Sequence, residues 1–137
     1  MSEKRYFVNV SNHPSEKWSV EQRKAAEKFG VIIDIPFPTI PPSAGPRELF
    51  EILMNLEKSI FDAIGKTPHK PVLHIMGEMG FCFMAVIHFK KVFGWRCIHS
   101  TTERIVTENA DGTKTSRFQF VQFREYQSSI EVLGGQL

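Results

Sequence analysis

Short apolar runs alternate along the chain with stretches whose apolar residues recur at helical spacing. Tyr6-Phe7-Val8-Asn9-Val10 reads as a strand. It is stopped by Ser11-Asn12-His13-Pro14-Ser15, because Pro14 lacks an amide hydrogen and pushes His13 towards an extended shape. Ser19-Val20-Glu21-Gln22 fits a capping box, with Gln22 reaching back to the Ser19 amide. The helix it opens is predicted to run to about Phe29, with Gly30 as its stop. Val31-Ile32-Ile33-Asp34-Ile35 is almost continuously apolar, the pattern of a strand covered on both faces of a parallel sheet. Five prolines between Pro36 and Pro46 then exclude helix and central strand. They predict a stiff surface loop, either a plain crossover or a cover over a site.

From Pro46, a stripe of Leu49, Phe50, Leu53, Leu56, Ile60, Phe61 and Ile64 predicts an amphipathic helix that ends at Gly65. Val72-Leu73-His74-Ile75-Met76 is a third strand, followed by Gly77-Glu78-Met79-Gly80 and an apolar helix from Phe81 to Phe93. After Gly94, Trp95-Arg96-Cys97-Ile98-His99 makes a fourth strand, leading into a junction at Ser100-Thr101-Thr102-Glu103-Arg104. A β-hairpin follows, from Arg104 through the Asp111-Gly112 turn to Tyr126. The order β-α-β-α-β-α-β plus a C-terminal hairpin predicts a Rossmann-like α/β fold. Its sheet is mostly parallel with an antiparallel extension, and helices lie on both faces. Residues 1–127 form one domain, and residues 128–137, with Gly134-Gly135, read as a flexible tail.

Composition narrows the function classes. The 137 residues suit one core that needs no metal or disulfide staple. Seventeen Lys and Arg against fifteen Asp and Glu is too even a balance for a DNA-binding surface, yet leaves room for a small anion held at one site. Cys82 and Cys97 are far apart and form no zinc spacing, and no His, Asp or Glu grouping does either, so no metal or other cofactor is expected. The charged start runs straight into a strand without a signal-peptide pattern, and no apolar run approaches a membrane span. The cytoplasm is the expected compartment. Phenylalanine is abundant, at twelve against two Tyr and two Trp, which implies a generous core or an apolar face for a partner. The Phe81 to Phe93 helix is apolar nearly all round in its first two turns, so a homodimer contact is expected there.

In open parallel sheets a ligand sits beyond the C-terminal strand ends, where the strand order reverses. Three polar junctions meet that rule. At the first, Ser11 and Asn12 offer hydrogen bonds and His13 changes charge near neutral pH; the same residues also simply build a turn. At the second, Gly77 and Gly80 let backbone amides approach a phosphate at a helix N-terminus. Glu78 there is either a general base, a ribose ligand, or a carboxylate favoured by the helix dipole. At the third, Arg104 offers a phosphate clamp beside Thr101 and Thr102, or a surface pair with Glu103 or Glu108. G-x-G-x-x-G, G-x-x-x-x-G-K-[ST] and G-x-S-x-G are all absent. His74 and His88 lie within a strand and an apolar helix and read as packed, while His99 is ambiguous.

Ser11-Asn12-His13-Pro14-Ser15, Asp34-Ile35-Pro36-Phe37-Pro38, Gly77-Glu78, Thr101-Thr102-Glu103-Arg104 and Phe123-Arg124-Glu125-Tyr126 together give the chain a further likeness. It resembles small single-domain proteins encoded beside type III CRISPR systems and related to the CRISPR-associated Rossmann-fold (CARF) sensors. That resemblance implies a dimer that binds cyclic oligoadenylate across its two-fold axis. It also implies ring-nuclease activity, in which a ribose 2′-hydroxyl attacks the adjacent phosphate without a metal and leaves a 2′,3′-cyclic phosphate, switching off antiviral signalling. Under it, Arg104 and the amides near Gly77 and Gly80 stabilise phosphorane charge, and His13 or Glu78 moves the proton. Ser11, Asn12, Thr101 and Thr102 orient phosphate and adenine, and Trp18 stacks a base or belongs to the core. Two rivals remain: a non-catalytic cyclic-nucleotide sensor or sponge, and a protein-interaction domain whose surface is the Phe-rich helix.

Overall fold

A computed structural model describes residues 3–134. Five strands form one mixed sheet in the order β2-β1-β3-β4-β5. β1 (Tyr6–Ser11) pairs in parallel with both β2 (Val31–Pro36) and β3 (Val72–Ile75), and β3 pairs in parallel with β4 (Arg96–Glu108). β5 (Lys114–Glu125) closes the row antiparallel to β4. α1 (Val20–Glu27), α2 (Pro46–Ile64) and α3 (Met79–Phe93) connect the parallel strands, and α4 (Ser129–Gly134) follows β5.

Side-chain alternation sorts the interior strands into two cores. Val8, Val10, Leu73, Ile75 and Cys97 point to one face, where α2 and α3 cover them. Phe7, Val72 and Ile98 point to the other, against Ala26 of α1 and the rings of Trp18, Phe29 and Phe123. A period of two on strands buried on both faces produces this division. The predicted stripe of α2 holds: Leu53, Leu56, Ile60 and Ile64 are buried. Removing Ile60 down to alanine would cost on the order of 2–5 kcal/mol, since a fully buried aliphatic leaves a cavity.

Helix ends follow their chemistry. The Ser19 hydroxyl accepts from the Gln22 amide at 3.2 Å to open α1, Pro46 sits in the first turn of α2, and Gly94 closes α3 in the left-handed region at φ 70°. Such a conformation costs a non-glycine residue about 1–2 kcal/mol.

Four expectations change. β2 is an edge strand with Val31 and Asp34 exposed, because β1 covers only one of its edges and no element fully covers its faces. Met79 and Gly80 belong to α3, which begins at the carboxylate cap of Glu78. Residues 100–104 are not a junction after β4 but its middle. The strand runs on to Glu108, held by pairing with β5 all the way to Lys114. In the stretch expected as a loose tail, α4 forms, and residues 135–137 of that stretch lie outside the described residues. Lys90 pins α4 by donating to the Tyr126 carbonyl at 2.7 Å and to Glu131 at 2.5 Å.

The abundant phenylalanine divides between core and surface, with Phe50, Phe61, Phe83 and Phe118 exposed. Phe7, Phe81 and Phe89 have no exposed surface, and Phe89 stacks on the buried Trp95 with ring centroids 5.0 Å apart. Of the apolar run in α3, Phe81, Cys82, Ala85, Val86 and Phe89 are buried within the chain's own core. Met79, Phe83 and Ile87, spaced four residues apart, form an exposed stripe along the same helix.

Candidate functional site

The strand order reverses between β1 and β3, since one connection leads to β2 and the next to β3 on opposite sides of β1. That point opens a crevice beyond the strand ends. A cleft of about 750 Å³ lies there, on the α1 side of the sheet. Ser11 and His13 reach it from the end of β1, His74 from β3 and Met76 from just beyond it, and Ser100 and Thr102 from β4. Lys17, Trp18, Glu21 and Gln22 wall it on one side, and Arg117 to Phe120 of β5 wall the other.

The antiparallel ribbon of β4 and β5 reaches this position through a bulge. Thr101 pairs with Gln122 and Thr102 with Phe120, so Val121 is the extra residue on β5. A bulge bends its strand and increases the local twist, and here it falls where β5 leaves the sheet core to wall the cleft. Phe120 and Phe123 lie 4.9 Å apart on either side of it.

Beneath the cleft runs a buried polar network. Asn9, only 1% exposed, donates from Nδ2 to the His13 carbonyl at 3.0 Å and to Asp34 Oδ1 at 2.8 Å. Both partners accept only, so the Asn9 amide orientation is fixed and its Oδ1 faces the Ser11 hydroxyl at 2.9 Å and His74 Nδ1 at 2.9 Å. His74 Nδ1 therefore carries the proton and donates to Asn9, leaving Nε2 with a bare lone pair. That nitrogen is buried without a hydrogen-bond partner among the described residues. An atom so placed costs about 1–3 kcal/mol if nothing reaches it. Burial, and then the nearby His99, lower the His74 pKa to about 4, so the ring is neutral at physiological pH.

The first loop is held by the same network. The His13 carbonyl also accepts from the Trp18 indole at 3.1 Å and lies 3.1 Å from the Ser11 hydroxyl. Ser15 donates to both carboxylate oxygens of Asp34, from its amide at 3.0 Å and its hydroxyl at 2.7 Å. Partial burial alone would raise the Asp34 pKa. The hydrogen bonds from Asn9 and Ser15, with the charge of Arg23, outweigh it and hold the carboxyl below its ordinary value. Polar residues that turn chemistry alone would select thus tie β1, the loop and β2 together.

The nine residues singled out from sequence separate into four places. Ser11, His13 and Thr102 share the cleft. The Ser11 hydroxyl is committed to the network, whereas His13 and Thr102 line the cleft as exposed residues. Asn12 lies on the far side of the loop, in a smaller pocket with Asp34 and Phe37. Gly77, Glu78 and Gly80 lie at the start of α3 on the opposite face of the sheet, and Thr101 and Arg104 lie along the ribbon. The Glu78 carboxylate caps α3 by accepting from the amides of Gly80 at 3.1 Å and Phe81 at 2.7 Å. Gly77 packs against Phe37, whose ring would lie 2.3 Å from an added Cβ. Arg104 takes neither Glu103 nor Glu108 as its partner but donates to the Ser116 hydroxyl across the ribbon at 3.0 Å. The Thr101 hydroxyl donates to the Gln122 carbonyl at 3.3 Å.

The cleft's cations, Lys17 and Arg117, were not foreseen. Arg117 lies more than a hundred residues from His13 in the chain and shares the cleft with it because β5 walls that side. The hydroxyl and amide of Ser100 donate to the Met76 sulfur at 3.0 and 3.3 Å, joining the end of β3 to the body of β4. No group of three or more His, Cys, Asp or Glu side chains among the described residues is arranged to hold a metal ion. None of the described helices is long and apolar enough to cross a membrane. The thiols of Cys82 and Cys97 are buried, and burial pushes them up to about 11 and about 12, far from nucleophilic use at neutral pH.

Fold and cleft together define an α/β protein with a mixed, mostly parallel five-stranded sheet and a basic, aromatic crevice where its strand order reverses. The sequence model of the uncharacterized MJ1673 family matches residues 5–124, and the chain belongs to that family. Neither a curated protein nor a solved structure matches it.

Proposed function

We propose that this chain is a Rossmann-like domain of the CARF kind that binds a cyclic oligoadenylate in the β1–β3 cleft and opens its ring without a metal. One observation carries the reading: two cations, hydroxyls and aromatic rings converge on a crevice of nucleotide size at the switch point of the sheet. Lys17 and Arg117 suit the phosphates, Arg117 with the paired donors of a guanidinium. Trp18, Phe118 and Phe120 suit base stacking, which contributes about 1–3 kcal/mol per base. Glu21 at the rim offsets part of the positive charge and favours a small ligand over a long polyanion.

In the cleavage step the ribose 2′-oxygen forms a bond to the adjacent phosphorus while the bond from phosphorus to the 5′-oxygen breaks. The products are a 2′,3′-cyclic phosphate and a 5′-hydroxyl, and the proton leaving the 2′-oxygen ends on the 5′-oxygen. His13, the exposed histidine of the cleft lining, relays it. Glu78 and Arg104, engaged outside the cleft, take no part. In-line positioning supplies up to ~7–11 kcal/mol in the best intramolecular cases. Such a role belongs to the shut-off of type III CRISPR signalling in the cytoplasm. A second copy docks on the Met79, Phe83 and Ile87 stripe, where Phe83 is 69% exposed.

Labelled cyclic tetra- and hexa-adenylate incubated with the protein in chelator test the reading. Ring opening that disappears in His13→Ala while binding persists supports it, as does weakened binding in Arg117→Ala. Binding without product selects the sensor or sponge. Absence of binding at micromolar protein and ligand refutes the nucleotide reading altogether.

A further inference from the structure

Among the described residues, one buried side-chain polar atom is left without a hydrogen-bond partner, and its residue lines the cleft. His74 lines it, is 1% exposed, and has Nε2 unpartnered among the described residues. Its tautomer is not free to change. Asn9 commits both amide hydrogens to carbonyl and carboxylate acceptors, so it offers His74 only an oxygen, and Nδ1 must hold the proton.

Resting on the reading of the cleft as a nucleotide site, we infer that His74 Nε2 is a specificity determinant that accepts a hydrogen bond from the exocyclic amine of a bound base. The chemistry around the atom chooses among the groups a nucleotide can offer. A bare lone pair repels phosphate oxygens, so the ring is no anion site. The rings of Phe7, Trp18 and Phe123 stand within 5.4 to 5.6 Å of the imidazole, and flat apolar walls receive the edge of a base better than a hydrated ribose. A base edge lacking a donor leaves Nε2 dry and unpaired, whereas an amine satisfies it. Admitting the base requires Trp18, half-buried and edge-on to His74, to swing aside and give up its indole hydrogen bond to the His13 carbonyl.

The test is ¹⁵N NMR of the histidine side chains combined with paired ligands: cyclic tetra-adenylate against its analogue with unsubstituted purine in place of adenine. Wild-type protein should bind the adenylate about tenfold more tightly, the worth of one such hydrogen bond. The His74 Nε2 resonance should move upfield with adenylate and stay in place with the purine analogue. His74→Phe, which keeps a ring in the slot, should bind both alike. Full preference retained in His74→Phe, or an unmoved Nε2 resonance in a saturated adenylate complex, overturns the inference while leaving the nucleotide reading intact. Where cyclic adenylate fails to bind, that reading falls. Free adenine and free purine at millimolar concentration then decide the inference: movement with adenine alone supports it, and movement with neither refutes it.

Discussion

Acidification should weaken this fold from about pH 6.5 downward, and His74 sets the size of the effect. Its folded pKa is about 4, against an ordinary value of 6.5. Above pH 6.5 the ring is neutral in both folded and unfolded chains, and the fold loses nothing. Between 6.5 and 4 only the unfolded chain takes up the proton, so stability falls with pH; below 4 both forms are protonated and the loss levels off. The full loss is about 3 kcal/mol, and about 2 kcal/mol of it falls between pH 7 and pH 5. For a chain of this length that step lowers the melting temperature by roughly 5–8 °C. His99, whose pKa is lowered by burial and by the charge of Arg124, adds to the loss in the same direction. Urea denaturation of wild type and His74→Phe at pH 7 and pH 5 isolates the histidine. The phenylalanine leaves Asn9 Oδ1 with the Ser11 hydroxyl as a donor, so the network is not orphaned. Most of the pH 7 to 5 loss should vanish in the variant. Equal losses in both proteins, or a His74 that titrates near 6.5 by NMR, would refute the reasoning.

Three other perturbations test separate parts of the structure. Gly77→Ala places a methyl 2.3 Å from the Phe37 ring and should cost about 1–3 kcal/mol in thermal unfolding, whereas Gly45→Ala, with nothing within 4 Å, should cost under 1. Glu78→Ala removes the cap of α3 and should lower stability by about 1 kcal/mol; a loss of ring opening at unchanged stability would instead make Glu78 a reacting group. Asp34→Ala deprives Ser15 and Asn9 of their acceptor and should cost about 1 kcal/mol at pH 7. Because the folded carboxyl titrates below its ordinary value, the contribution of Asp34 is present above about pH 4 and lost as pH falls through the lowered pKa, so wild type and variant should converge in strong acid.

Helices and interior strands were legible because their signals are local. The stripe of α2 and the hydroxyl cap of α1 depend on residues within a few turns of one another, as does the glycine stop of α3. The length of β4 was not legible. Ser100-Thr101-Thr102 carries the hydroxyls of a polar junction, and only pairing with β5 keeps it extended. The cleft was half visible. The rule of strand ends selected Ser11, His13 and Thr102, but it also selected Glu78 and Gly80, which serve the start of a helix on the other face. Whether a carboxylate before a helix caps it or faces a ligand depends on a side-chain torsion that spacing does not encode. Arg117 and Phe118 carried no local signal at all, since a bulge at Val121 decides where they end up. Asn9 was passed over as an ordinary strand residue. The one available cue was a polar side chain amid an apolar central strand, opposite Asp34 in β2 and His74 in β3.

The cleft's construction also implies an order of assembly. The wall from β5 belongs to a hairpin whose strands pair across a tight turn at Asn109 to Thr113, where loop closure is cheap and fast. The floor requires Asn9 to meet His74 across 65 residues of chain, and the wall brings Arg117 into the same cleft as His13 from still further away. Contacts of such long range bear the larger closure entropy and form late. The ribbon should therefore exist before there is anything for it to wall. Hydrogen-exchange labelling during refolding should find β4 and β5 amides protected first and those of β1 and β3 after them.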